Sequence, residues 1–149
     1  MDPLDTLLIE RACERLCTDY ARRVDTRAES FADLFTDDGV LTLVNVDLSG
    51  REEILAYIRR SAAEGRATRH LYANIAIDVV SADEARGVVD MLYFTGRPGE
   101  DGVVRGPDLK PAGVGTYTDV YRRTADGWRI ARRAFKPVFL REGKPRAEA

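Results

Sequence analysis

The chain contains a single histidine, His70, in the stretch ATRHLYANIAID at 67–78, where a helix-like pattern gives way to a strand-like one. A neutral imidazole beside a carboxylate makes a general base. The acid accepts the N–H of one ring nitrogen, fixes the tautomer, and leaves the other nitrogen free to take a proton. Asp25, at the end of the first apolar-periodic segment, is the carboxylate to weigh for that role, and it could equally cap a following helix. Tyr20 and one of the paired arginines Arg132 and Arg133 could stabilise charge developing on an oxygen, or protonate a leaving group. Tyr117 and Tyr121 in GTYTDVYRR, Asp90 in GVVDMLYF, and Cys17 complete the groups suited to a substrate pocket. Plainer roles stand beside these: a surface histidine, a packing tyrosine at Tyr20, solvated arginines at Arg129 and Arg132. Asp90 is harder to dismiss, because a carboxylate in an apolar run is expected to be paired or functional.

These residues depend on elements the pattern also predicts. Asp2 before Pro3 suits a helix start. Ile9, Cys13, Leu16, Cys17, Tyr20 and Val24 then recur at three- and four-residue steps, which makes one stripe of a long helix apolar. Cys13 and Cys17 lie on that stripe as buried small hydrophobes, without the spacing of a redox or metal motif. Thr26 is placed to cap a short second helix carrying Phe31, Leu34 and Phe35, broken by TDDG at 36–39. GVLTLVN then reads as a strand, DLSG as a turn, and REEILAYIRRSAAEG as a third helix capped by Ser49 and stopped at Gly65. Residues 70–80, 84–96, 113–123 and 127–140 are rich in Val, Ile, Tyr, Phe and Thr, and read as strands. The Gly/Pro-rich stretch from 96 to 113 reads as a long mobile loop between two of them. Helices ahead of an antiparallel or mixed sheet predict an α+β fold, with the helices packed in a strongly curved sheet that could close into a cone. The mouth of such a cone is a natural small-molecule pocket.

At 149 residues, 44% hydrophobic and 32% charged, the chain fits one globular domain, residues 1–149, with a frayed tail from about 141. Twenty-three basic against twenty-five acidic side chains, interspersed, leave a formal charge of −2, which argues against nucleic acid as a partner. No apolar run approaches the roughly 20 residues of a membrane span, and the N-terminus resembles no export signal. A cytoplasmic location with reduced thiols is the expectation. Neither a glycine-rich phosphate loop nor a nucleophile elbow nor a metal constellation is present, so no cofactor is expected.

One conflict remains along the strand that holds His70. Counting by twos puts Leu71, Ala73, Ile75, Ile77 and Val79 on one face, and His70, Tyr72, Asn74 and Asp78 on the other. If the apolar face covers the helices, His70 meets solvent. If that face is a contact between subunits, His70 points inward, and the chain is a homo-oligomer, dimer or trimer.

The stretches CTDYARRVDTRAESFADLFTDDGVL, RHLYANIAIDVVSADEARGVVDMLY and YRRTADGWRIARRAFKPVF resemble the SnoaL-like branch of the NTF2-like superfamily over nearly the whole chain. The resemblance implies an α+β cone with an apolar cavity, as in scytalone dehydratase, bile-acid dehydratase, ketosteroid isomerase, polyketide cyclases and hexachlorocyclohexane dehydrochlorinase. In the dehydratase and dehydrochlorinase members, an aspartate after the first helix pairs with a histidine at the start of the strand after the third helix, as general base for elimination. The matching positions are Asp25 in RRVD and His70 in TRHLYAN. Tyr20 matches a tyrosine acid of the bile-acid type, and Arg133 matches best a basic residue on the last strand. The dehydrochlorinase pattern has a basic or amide residue where Tyr20 stands, and the isomerase pattern fits less well. The resemblance implies a cofactor-free lyase, or an isomerase or cyclase, acting on a small apolar polycyclic or polyketide-like substrate. The alternative is a binding protein of the same fold without catalysis.

Overall fold

The computed structural model describes residues 1–106 and 109–142. The expected frayed tail lies outside them from residue 143 on, and so do residues 107 and 108 of the long loop. Helix α1 runs Pro3–Thr26, and the Asp2 side chain accepts from the Leu4 N–H at 3.0 Å. Its buried face is Ile9, Cys13, Leu16, Cys17, Tyr20 and Val24, the expected stripe. Arg27 ends the helix in the left-handed region at φ 56. Thr26 caps nothing downstream, because its hydroxyl donates back to the Arg22 carbonyl at 3.0 Å. The short second helix is a 3-10 turn, Glu29–Leu34, that buries Phe31, Ala32 and Leu34 without a side-chain cap.

Strand β1, Phe35–Leu43, includes the TDDG stretch expected to break the chain. Gly39 permits this, since a Cβ there would sit 2.9 Å from Phe35 Cβ and 3.0 Å from the Thr36 carbonyl. The expected turn DLSG is instead mostly a short strand, β2 (Val46–Ser49), antiparallel to β1 from Val40↔Ser49 to Leu43↔Val46. Helix α2 runs Arg51–Ala63 and buries Ile54 and Ile58. Ser49 does not cap it. Glu53 of the first turn instead reaches back to accept the Ser49 N–H at 2.8 Å, so only the acidic half of a capping box is used.

Four long strands follow: β3 (Ala67–Val79), β4 (Glu84–Gly96), β5 (Gly113–Thr124) and β6 (Gly127–Leu140). The sheet order is β2-β1-β6-β5-β4-β3, antiparallel except for the parallel β1–β6 pair. The sheet is mixed and curved around α1 but does not close into a cone, so β3 is left as an edge strand. Leu16, Phe31, Val89, Tyr117, Ile130 and their neighbours form one core between the helices and the inner face.

The conflict over His70 is resolved by a bulge. Asn74 sits at φ 48, and the β3–β4 register shifts between Ala73 and Ala76. A bulge inserts one residue and reverses which face later side chains take. His70 and Tyr72 therefore face inward before it, while Ile75, Ile77 and Val79 pack on the core after it. The single apolar face anticipated for a subunit contact does not exist: Leu71, 48% exposed, and Ala73 lie on the outer side, while Ile75, Ile77 and Val79 pack inside.

Candidate functional site

The end of α1 meets the edge strand β3 at Asp25. His70 Nδ1 lies 2.6 Å from Asp25 Oδ1, and Asp25 Oδ2 accepts the His70 backbone N–H at 3.0 Å. The Thr68 hydroxyl donates to Asp25 Oδ1 at 3.0 Å and accepts from Arg27 NH1 at 3.0 Å. The same Arg27 NH1 donates to the Val24 carbonyl. A carboxylate that accepts from Nδ1 dictates the tautomer with Nε2 as the basic nitrogen. No protein group bonds Nε2 among the described residues. The imidazole stacks on Tyr93 with ring centroids 5.4 Å apart and planes 12° from parallel. The side chains of His70 and Asp25 are 12% and 10% exposed, sheltered but within reach of a small molecule.

That molecule would enter a cleft of about 500 Å3 between α1 and β3. Thr18, Ala21, Arg22, Asp25 and Thr26 line its helix side, and Thr68, His70, Tyr72 and Ile75 its strand side. A depression of about 620 Å3 beside Lys110, Phe139 and Arg141 contains neither dyad residue.

The remaining expected site residues occupy two other places. Tyr20, Tyr117, Tyr121, Cys17 and Arg133 meet in the core around a carboxylate that the sequence reading missed, Asp119. Arg133 donates through Nε to Asp119 Oδ1 at 2.8 Å and through NH2 to Oδ2 at 2.7 Å, and both side chains are 0% exposed. The Tyr121 hydroxyl donates to Asp119 Oδ2 at 2.6 Å, and Cys17 Sγ lies 3.1 Å from that hydroxyl. The guanidinium lies over the rings of Tyr20 and Tyr117, 4.3 and 4.5 Å from their centroids. Burial opposes the Arg133 charge, but Asp119 outweighs it and holds the guanidinium well above its ordinary pKa. Burial pushes the phenols of Tyr20, Tyr72, Tyr117 and Tyr121 well above theirs, so all four stay protonated. Asp119 was legible in principle: it lies midway between two inward tyrosines on β5, and pairs across from Arg133.

None of Tyr20, Tyr117, Tyr121, Cys17 and Arg133 lines the cleft. One thread joins the two regions: Arg133 NH1 lies 3.5 Å from the hydroxyl of Tyr72, which does line it. Tyr72, not Tyr20, is the tyrosine at the cleft. Asp90 is a correction of another kind, since β4 buries Val89 and Met91 inward and turns Asp90 to the outer face. There it accepts from Asn74 Nδ2 at 3.0 Å and Thr116 Oγ1 at 2.9 Å. Those two donors hold its carboxyl below the usual range. Asp90 pins the bulge at Asn74, which makes it structural support for the strand that presents His70.

Among the described residues, no helix is long and apolar enough to cross a membrane. A family model described as a SnoaL-like domain matches residues 5–134. The fold is similar to that of a variant of Rv3472, a Mycobacterium tuberculosis protein of unknown function, with 26% identity over 94% of this chain and 78% of that one, and a TM-score of 0.76. It is similar to a candidate scytalone dehydratase from Novosphingobium aromaticivorans, with 25% identity over 97% of each chain and a TM-score of 0.76. A hexachlorocyclohexane dehydrochlorinase, LinA-type3 of Novosphingobium barchaimii, shares the fold at 21% identity over 99% of each chain, with a TM-score of 0.76. No curated protein matches the sequence significantly.

Proposed function

The chain belongs to the SnoaL-like domain family, and on that premise we propose that it converts a small molecule by cofactor-independent general acid/base catalysis, with His70 as base and Asp25 as its partner. The observation that carries this reading is the 2.6 Å contact between Nδ1 and Asp25 Oδ1 at the wall of an open cleft, with Nε2 bonded by no protein group among the described residues. In an elimination, Nε2 takes a proton from a carbon next to an activating group, and the electron pair left behind expels a β-hydroxyl. Tyr72, which lines the cleft and whose hydroxyl lies 3.5 Å from Arg133 NH1, is the group we assign to donate a proton to that departing oxygen. The products are an alkene and water. If the proton returns elsewhere, or the carbanion attacks a carbonyl, the same groups perform an isomerisation or a cyclisation.

The similarity to the candidate scytalone dehydratase favours elimination of water. Ala21, Tyr72 and Ile75 give the cleft an apolar side suited to a polycyclic or polyketide-like substrate. Tyr20 and Arg133 act from behind this wall, as the support of Tyr72. A homo-oligomer working in the cytoplasm fits this reading, and light scattering that detects only 16.6 kDa particles would remove the oligomer.

The deciding experiment screens dehydration, isomerisation and cyclisation substrates, alongside ligands that raise the melting temperature, with wild type and His70→Gln. Turnover lost with ligand binding kept supports the enzyme. A wild type that binds ligands and turns over none is a binding protein instead.

A further inference from the structure

From the hydrogen bonds around Asp25 we infer that Thr68 and Arg27 are positioning residues, a relay that ties the end of α1 to the dyad and locks the Asp25 carboxylate in the orientation that selects the His70 tautomer. The inference rests on the reading of His70 as base.

A threonine hydroxyl has one proton to give and two lone pairs to offer. Arg27 NH1, 3.0 Å from Thr68 Oγ1, can only donate, so it occupies a lone pair. The hydroxyl proton is thereby directed to its other neighbour, Asp25 Oδ1, also at 3.0 Å. Arg27 is held in turn, because it terminates α1 in the left-handed region and its NH1 also donates to the Val24 carbonyl. Asp25 thus receives Thr68 and His70 Nδ1 on one oxygen and the His70 backbone N–H on the other. Two of its three donors come from outside the imidazole, and they are side chain and backbone of residues two apart on β3. A carboxylate anchored this way cannot rotate to a geometry in which Nδ1 is left without an acceptor. Without the anchor, the imidazole can populate the tautomer that protonates Nε2, which is useless as a base.

Because the chain has one histidine, its ring gives an unobstructed spectroscopic signal. The test is nitrogen-15 NMR of protein labelled at histidine, at a pH where the ring is neutral, on wild type, Thr68→Val, Thr68→Ser and Arg27→Gln. Wild type and Thr68→Ser should show the Nδ1–H tautomer alone, with a slowly exchanging Nδ1 proton. Thr68→Val keeps the shape but loses a hydrogen bond to a charged group, which corresponds to about a tenfold effect. Its Nδ1 proton should exchange about tenfold faster, the second tautomer should become visible, and any turnover found should fall by a similar factor in kcat with KM little changed. Arg27→Gln, which frees the hydroxyl to turn, should move in the same direction by less.

A Thr68→Val protein that folds and retains the wild-type tautomer and exchange rate overturns the inference, even if its melting temperature falls. Failure of the base reading looks different. There the wild type itself would show no preference for Nδ1–H, or His70→Gln would retain turnover.

Discussion

The protein holds two buried or sheltered carboxylates, each paired with a nitrogen side chain, one on the central strands β5 and β6 and one where α1 meets the edge strand β3, and they differ in what is left unmet. At the centre of the sheet, Arg133 and Asp119 are fully buried, and Tyr121, Cys17 and two aromatic faces take up most of what the pair does not satisfy itself. At the edge, Asp25 accepts from three donors, while no protein group among the described residues bonds the second ring nitrogen of its partner His70. A saturated buried pair holds its surroundings in one arrangement and has no bond to offer a substrate. A half-satisfied imidazole at a cleft has its reactive valence free. Residue type alone would have favoured the core cluster as the site, since it collects an arginine, three tyrosines and a thiol.

The sharpest way to break this contrast is to remove one partner from each pair. Asp119→Ala strands a buried guanidinium and should cost about 3–5 kcal/mol of stability in urea denaturation, whether or not the cleft works. His70→Gln should lower turnover about 10²–10⁴-fold, the usual contribution of a positioned base, and change stability far less. If His70→Gln unfolds the protein while Asp119→Ala only slows it, the roles assigned here are reversed.

Smaller perturbations probe what joins the two regions. Asn74→Ala leaves φ 48 without a compensating side-chain bond and removes one of the two donors to Asp90. It should cost about 1–2 kcal/mol by chemical denaturation. Asn74→Gly, which relieves the backbone, should recover part of that. Tyr20→Phe, deep in the core and absent from the cleft, should alter turnover by no more than about tenfold and stability by about 1 kcal/mol. A loss as large as that of His70→Gln would return Tyr20 to the reacting atoms.

The smallest effect at neutral pH concerns the thiols. Burial, followed by the neighbouring Cys17 and Asp119, pushes the Cys13 thiol from 9.0 up to about 12. A pKa raised in the folded state means stability that is complete below pH 9.0 and is lost as pH rises towards about 12. Melting temperatures across that interval should fall, and Cys13→Ala should fall less steeply. At pH 8, iodoacetamide should leave both thiols unmodified until the chain unfolds.

Much of this architecture is written locally. Pattern and capping chemistry were enough for α1, down to its buried stripe and its start at Asp2, and for the extents of β4 and β6, because apolar period and turn residues act over a few neighbours. The same kind of reading failed where local signals compete with packing. TDDG looks like a breaker, yet it lies within β1, because Gly39 lets the chain approach Phe35 closely while the register to β6 shifts across the segment. Asp90 looked like a pocket residue because its neighbours are apolar, but alternate residues of a strand face opposite sides, and only the sheet decides which side is wet.

By itself, then, the sequence determined an α+β chain with a stripe-faced first helix, one imidazole, and a family pattern that pairs it with Asp25. The tertiary structure alone decided that the sheet stays open at β3, that a bulge at Asn74 turns His70 inward together with the apolar residues that follow it, and that Arg133 spends its bonds on Asp119. These outcomes hang on register and on contacts between residues far apart in the chain. A shift of a single residue in a strand reverses the direction of every side chain beyond it, and no local propensity records such a shift.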